Sequence, residues 1–246
     1  MNHHYGWRPD LPDFRDDDYM FAAAPGLVYP ATVDLRSQMP PIYNQSKLGS
    51  CTGHGIAAAI QYDRMKQGLD NWTPSRLLIY LMERMKEHTV SLDAGARIRD
   101  GVKCVAKLGT CDEKLWPYDI SKFNVMPPQS VFEEAKEHPA LAYRSVAFSQ
   151  IDGALASGFP VIYGVSLYSS FESDQVAKTG IVPLPVVGEK LLGGHCMLLA
   201  GYLDNGETKI SRNSWGEEWG DKGYCYIPDS YLERLARDCW IVTVVQ

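Results

Sequence analysis

This 246-residue chain has no apolar run near the ~18 residues that a membrane-spanning helix needs, so no membrane contact is expected. It has no dense block of Lys or Arg either. Its formal charge is −6, from 24 basic and 30 acidic side chains, which argues against nucleic acid as a partner. The N-terminus, from Met1 to Asp10, lacks the apolar core of a signal peptide. The expectation is a protein that stays in the cytoplasm or leaves it by a route the sequence does not display. No Cys-x-x-Cys pair occurs among the six cysteines, so zinc-type ligand spacing is missing and no metal or organic cofactor is expected. Internal repeats and low-complexity tracts are also absent. What is present is ordinary for a globule: 45% hydrophobic and 22% charged residues, enough for a substantial core.

Residues 1–30 differ from the rest. Asp10, Asp13, Asp16, Asp17 and Asp18, broken by Pro9 and Pro12, show neither helical nor strand periodicity. Tyr5, Trp7, Leu11, Phe14, Tyr19 and Phe21 are interleaved with them, too many apolar anchors for a disordered tail. The reading is an extended arm laid on the body. Residues 31–44 lead in as a loop or edge strand, with Pro40-Pro41 blocking a helix.

Residues 45–140 read as mainly helical. One helix runs from about Cys51 to Gly68. A second opens at the cap Thr73-Pro74, and a third, capped by Asp93, ends at Gly109. A short polar helix spans 131–138. Residues 141–246 turn strand-rich after a short helix at 149–158. The apolar runs are 161–167, 195–202, 208–212, 224–227 and 240–245, with Asp204-Asn205-Gly206 as a turn between two of them. Segregated helices and strands indicate an α+β fold.

Three places carry chemistry. Cys51 follows Gly49-Ser50 at a helix start, where the helix dipole favours thiolate and free N–H groups can hold a developing oxyanion. His195 sits behind Gly193-Gly194 at the head of an apolar run. Asn213, in Asn213-Ser214-Trp215-Gly216, can accept the proton on one ring nitrogen and leave the other to face a thiol. Trp215 can shield that bond from water. Taken singly, Cys51 reads as a buried structural thiol, His195 as a satisfied core histidine, Asn213 as a turn residue and Trp215 as core.

Taken together, these residues resemble the papain-like cysteine peptidases, in a bacterial branch without a long helical propeptide. Gln45, Gly49-Ser50-Cys51, His195 leading into Ala200-Gly201-Tyr202, and the run Asn213 to Tyr224 carry the resemblance over about residues 32–246. The separation of Cys51 and His195 falls inside the ~130–150 positions usual for that family. The resemblance implies a papain-like α+β fold, with a helical left part and a barrel-like right part flanking a cleft. It implies a cysteine endopeptidase acting through a thioester on protein or peptide substrates, as a monomer. Cys51 is then nucleophile, His195 base and later acid, and Asn213 its orienter supported by Trp215. The Gln45 side chain and Cys51 N–H form the oxyanion hole. Gly49, Gly95, Arg97, Ile98, Gly164, Gly193, Gly194 and Cys196 fall where the family binds substrate.

Departures accompany it. Leu48 removes the thiol of a family disulfide, Asp93 stands near where its partner is expected, Thr52 replaces a packing tryptophan, and Ala96 replaces a glycine. Setting Cys51 aside leaves five thiols, an odd number, so at most one or two bridges are expected. Cys104 with Cys111 and Cys225 with Cys239 are the candidates, and mostly reduced thiols suit a reducing compartment. The arm, residues 1–30, is expected to cover the cleft as an intramolecular inhibitor; packing on the back of the β-rich half is the alternative. Two other functions fit the same groups: a silent peptide-binding protein, and an amide-transferring or deamidating enzyme.

Overall fold

The computed structural model describes residues 4–13, 16, 22, 26, 28–140 and 142–244. The proposed anchors Phe14, Tyr19 and Phe21 lie outside them. Helix α1 (Cys51–Lys66) is buried along nearly its whole length. It packs on α2 (Arg76–Lys86) and α3 (Ile98–Leu108) on one side and on the sheet on the other. Its small residues Ala57, Ala58 and Ala59, each at most 1% exposed, let neighbours approach from every direction. No polar face is therefore needed. Helix α4 (Gln129–Lys136) packs against α3.

The sheet is antiparallel throughout. Its order is β2 (Ala142–Ser145), β7 (Ala236–Thr243), β3 (Val161–Tyr168), β4 (Leu191–Leu203), β5 (Thr208–Arg212) and β6 (Tyr224–Pro228). The short lead-in strand β1 (Val33–Asp34) pairs with β4. Three short helices punctuate it: α5 (Ile151–Ala156), α6 (Asp174–Thr179) and α7 (Asp229–Leu235). Strand β3 is buried on both faces over most of its length, as its unbroken apolar run requires.

Several expectations are corrected. The cap of α2 is Ser75, whose hydroxyl accepts from Leu78 N–H, and not Thr73. Asp93 does not cap α3, whose N-cap position is Arg97; its carboxylate is engaged elsewhere. Strand β7 begins at Ala236, earlier than the apolar run at 240. Strand β2 and helices α6 and α7 were not anticipated. Leu11 is no anchor: it is 62% exposed. All six cysteines are free thiols, so neither candidate pair is bridged. Among the described residues no helix is long and apolar enough to cross a membrane.

Candidate active site

Strand pairing brings the histidine and asparagine together. His195 lies in β4 opposite Val165 of β3. Asn213 follows the last residue of β5, Arg212, which pairs with Leu198 two strand residues beyond Cys196. His195 Nε2 stands 2.8 Å from Asn213 Oδ1, and both side chains are buried. An amide oxygen only accepts, so this bond places a proton on Nε2 and makes Nδ1 the acceptor nitrogen of the ring. The backbone N–H of Ser214 donates to the same oxygen at 2.8 Å and fixes the amide's orientation. The Trp215 ring lies 5.1 Å from that of His195, backed by Trp219 and Phe171. This aromatic wall stands beside the buried pair.

The segment 43–45 runs beside 214–216. Gln45 N–H donates to Ser214 O, Gly216 N–H donates to Tyr43 O, and Asn44 bridges to Trp215. Gln45 is thereby placed next to the asparagine run. Its side chain is fully buried. Its Oε1 accepts from the Ser214 hydroxyl at 2.6 Å, which turns the Nε2 end outward to Leu48 O and His4 O.

Cys51 is the first residue of α1. Ser50, at the N-cap, makes no side-chain cap. Its hydroxyl instead meets Tyr118 Oη at 2.6 Å and His54 Nδ1 at 3.4 Å. The first-turn N–H groups are therefore not consumed by a capping oxygen, which keeps donors at the helix start. Tyr118 also donates to Gln45 O at 2.9 Å, so one phenol fixes both the turn before Cys51 and the glutamine.

The arm crosses this constellation. Trp7 N–H donates to Gly194 O at 3.0 Å, Arg8 N–H to Ala96 O at 3.0 Å, and Ala96 N–H to Gly6 O at 2.7 Å. The Trp7 indole lies against Gly164 and Gly194, and Tyr5 against Gly193. A side chain on Gly164 would overlap the indole, and one on Gly6 would overlap the Gly49 carbonyl. The Tyr5 ring stands 6.1 Å from His195, and its hydroxyl donates to Glu172. Arg8 pairs with Glu87, and Arg97 Nε donates to Pro9 O. Asp10 accepts from Trp240 Nε1 at 3.0 Å and from Arg99 N–H, while its own N–H donates to Asp238.

The electrostatics depart from the expected thiolate. Under the arm Cys51 is fully buried, and that burial pushes its thiol up to about 12. Backbone hydrogen bonds from Cys196, Gly6 and Thr52 pull the other way without prevailing. The helix-start effect is real but local, and desolvation outweighs it here. Glu83, which accepts from Thr52 Oγ1 at 2.7 Å, is pushed up to about 8 by burial, so it carries little charge beneath the thiol at neutral pH. His54 is driven well below its ordinary value by burial and by Arg76. Among the described residues no three His, Cys, Asp or Glu side chains gather as a metal site would need.

Of the substrate positions read from sequence, Gly49, Gly95, Arg97, Gly164, Gly193 and Gly194 all meet the arm. Ile98 is fully buried at the start of α3, and Cys196 is buried with its sulfur toward Gly55. Ser214, Tyr118 and Tyr80 were not singled out. Ser214 stood inside the Asn213 run and could have been, but nothing local marks the two tyrosines.

The pattern of the papain family cysteine protease matches residues 29–241. An uncharacterized peptidase C1-like protein of Acanthamoeba polyphaga mimivirus is 42% identical over 82% of this chain and 69% of its own length. Chymopapain of Carica papaya is 24% identical over 87% of this chain and 58% of its own. Among solved structures, xylellain, a cysteine protease from Xylella fastidiosa, superposes with a TM-score of 0.90. It is 34% identical and covers 98% of this chain and 96% of its own. A digestive procathepsin L2 of Tenebrio molitor, 19% identical over 97% of this chain and 78% of its own, shares the fold at a TM-score of 0.73. With the motif run, the α+β architecture and these matches in agreement, the chain belongs to the papain family of cysteine proteases and is a hydrolase.

Proposed function

We propose that the chain is a cysteine endopeptidase that cleaves peptide bonds through a thioester. Cys51 attacks the scissile carbonyl, and its proton passes to His195. The developing oxyanion is held by Cys51 N–H and Gln45 Nε2. His195 then protonates the leaving amine, and water hydrolyses the thioester to restore the thiol. Asn213 keeps the imidazole in the tautomer and orientation this needs. In this reading residues 45–140 carry the nucleophile, residues 141–246 carry the base and its orienter, and the protein acts as a monomer. The observation that supports it best is the buried 2.8 Å contact of His195 Nε2 with Asn213 Oδ1, beside a helix-start cysteine.

The arm belongs to the same proposal: residues 4–10 restrain the enzyme from within the cleft. Two of their contacts fall on reactive groups, His4 O on Gln45 Nε2 and Gly6 on the Cys51 sulfur. The experiment is exposure of the chain to an epoxysuccinyl inhibitor, with mass-spectrometric assignment of the site, and product analysis on a glutamine-containing peptide. Labelling at Cys51 with backbone scission is the expected result. Labelling mainly at Cys196 overturns the nucleophile. Side-chain deamidation without scission favours the amide-transferring reading, and labelling without turnover favours the silent one.

A further inference from the structure

The loop that carries Cys51 and the strip that pairs with an extended chain are joined by one continuous polar path. Asp93 Oδ2 and Oδ1 accept from Gly49 N–H at 3.0 and 3.1 Å. Tyr80 Oη donates to Asp93 Oδ1 at 2.5 Å and accepts from Gly95 N–H at 3.1 Å. His4 Nδ1 of the arm lies 3.6 Å from Asp93 Oδ2. Tyr80 is fully buried on α2, while the Asp93 side chain is 23% exposed. Leu48, beside Gly49, has no thiol to offer, and all six cysteines are free.

The ends of this path are the two places that grip an extended peptide. Ala96, next to Gly95, exchanges backbone hydrogen bonds with Gly6 and Arg8. Gly49, next to Ser50-Cys51, touches the same stretch of arm from the other side, its carbonyl facing Gly6. A peptide held by both senses the distance between them. A carboxylate that accepts N–H and O–H bonds together is a strong, directional link, and Tyr80 is a rigid post for it because its ring is packed in the core.

We infer that Asp93 and Tyr80 are a positioning pair that sets the spacing between the Cys51 loop and the Gly95–Ala96 strip, non-covalently, where the chain has no cross-link. The inference rests on the proposed catalytic reading, but its test needs no turnover. The alternative is that the pair only adds stability.

Two labelling rates at Cys51 in the full chain separate these. A peptidyl epoxysuccinate must lie along the Ala96 strip and reach the sulfur, whereas iodoacetamide needs the sulfur alone. Both need the arm displaced, so their ratio cancels the arm's opening equilibrium. Asp93→Ala and Tyr80→Phe should each lower the ratio about tenfold, the scale of a small misplacement of a reacting pair. Asp93→Asn, which keeps an acceptor oxygen, should restore most of it. A ratio within about twofold of the parent in folded Asp93→Ala and Tyr80→Phe proteins would overturn the inference. If Asp93→Ala does not fold, Tyr80→Phe decides alone, since it removes one hydroxyl and keeps the buried ring. Failure of the catalytic reading looks different: the parent would label at Cys51 yet release no cleaved peptide.

Discussion

The Ser214 hydroxyl donates to Gln45 Oε1 at 2.6 Å, between two buried side chains. A glutamine amide can flip, and only one orientation presents its NH2 to an oxyanion. The same serine's N–H donates to Asn213 Oδ1, so a single residue aligns the proposed oxyanion donor and the proposed histidine orienter.

Replacing Ser214 by Ala should leave Gln45 Oε1 unsatisfied and its amide less well oriented. The expected cost is about 1 kcal/mol, roughly fivefold in kcat, the usual worth of one buried hydrogen bond. KM should stay near the parent value, because the contact matters only as charge develops on the carbonyl. Steady-state kinetics on a fluorogenic peptide measures both. A rise in KM with unchanged kcat would contradict the alignment role.

The arm can be lifted without cutting it. A methyl on Gly6 would overlap the Gly49 carbonyl as long as the arm is docked, and the clash is relieved once the arm leaves. Gly6→Ala should therefore undock the segment and raise kcat/KM and the rate of Cys51 labelling by about tenfold or more, as the open fraction grows. Its melting temperature should fall only modestly. A folded Gly6→Ala protein with parental kinetics and labelling would remove the restraint role.

The motif residues were legible because their partners are set by short sequence spacing or by adjacent strands. Asn213, Ser214 and Trp215 follow one another, and β4 and β5 join through a tight turn at 204–206, so His195 and Asn213 had to become neighbours. Asp93 was misread as a cap for a physical reason. The helix starts later than the sequence suggested, so Asp93 lies four residues short of the N-cap position, Arg97, and its carboxylate is taken by Gly49 N–H and Tyr80 Oη. Strand β2 is four residues long with Arg144 exposed, too short for a period to show. Helix α7 follows directly on Pro228, which reads as a breaker in sequence but stands at its N-cap position. The state of the Cys51 thiol could not be read locally, since burial by residues more than 40 positions away decides it.

The thiols give a simple check. With every cysteine free, titration of denatured protein, prepared without reductant and protected from air, should count all six. Strong reductant should leave the melting temperature unchanged. A count of four or fewer would show a bridge that the structure does not contain.

Docking of the arm should depend on pH through Asp10. Burial first, then the nearby Asp238 carboxylate, raises Asp10 from its ordinary 3.8 to about 7 in the docked state. Trp240 Nε1 and the N–H and guanidinium of Arg99 oppose that rise. Asp238 is itself raised, chiefly by burial, with Arg99 and Arg237 opposing, and Asp16 shares the Arg99 guanidinium. A carboxyl that holds its proton more tightly when docked favours docking at low pH. That contribution is complete below its ordinary value and is lost as pH rises through about 7. The arm should therefore open progressively between about pH 4 and pH 7. Asp10→Asn keeps an uncharged group of the same shape and should not follow this course. Taking the labelling rate of the parent relative to Asp10→Asn at each pH cancels the titration of Cys51 and His195. The ratio should climb across that window and level off above it. A ratio flat with pH, or one that falls, would mean that Arg99 holds the Asp10 charge well enough to make the arm indifferent to its ionisation.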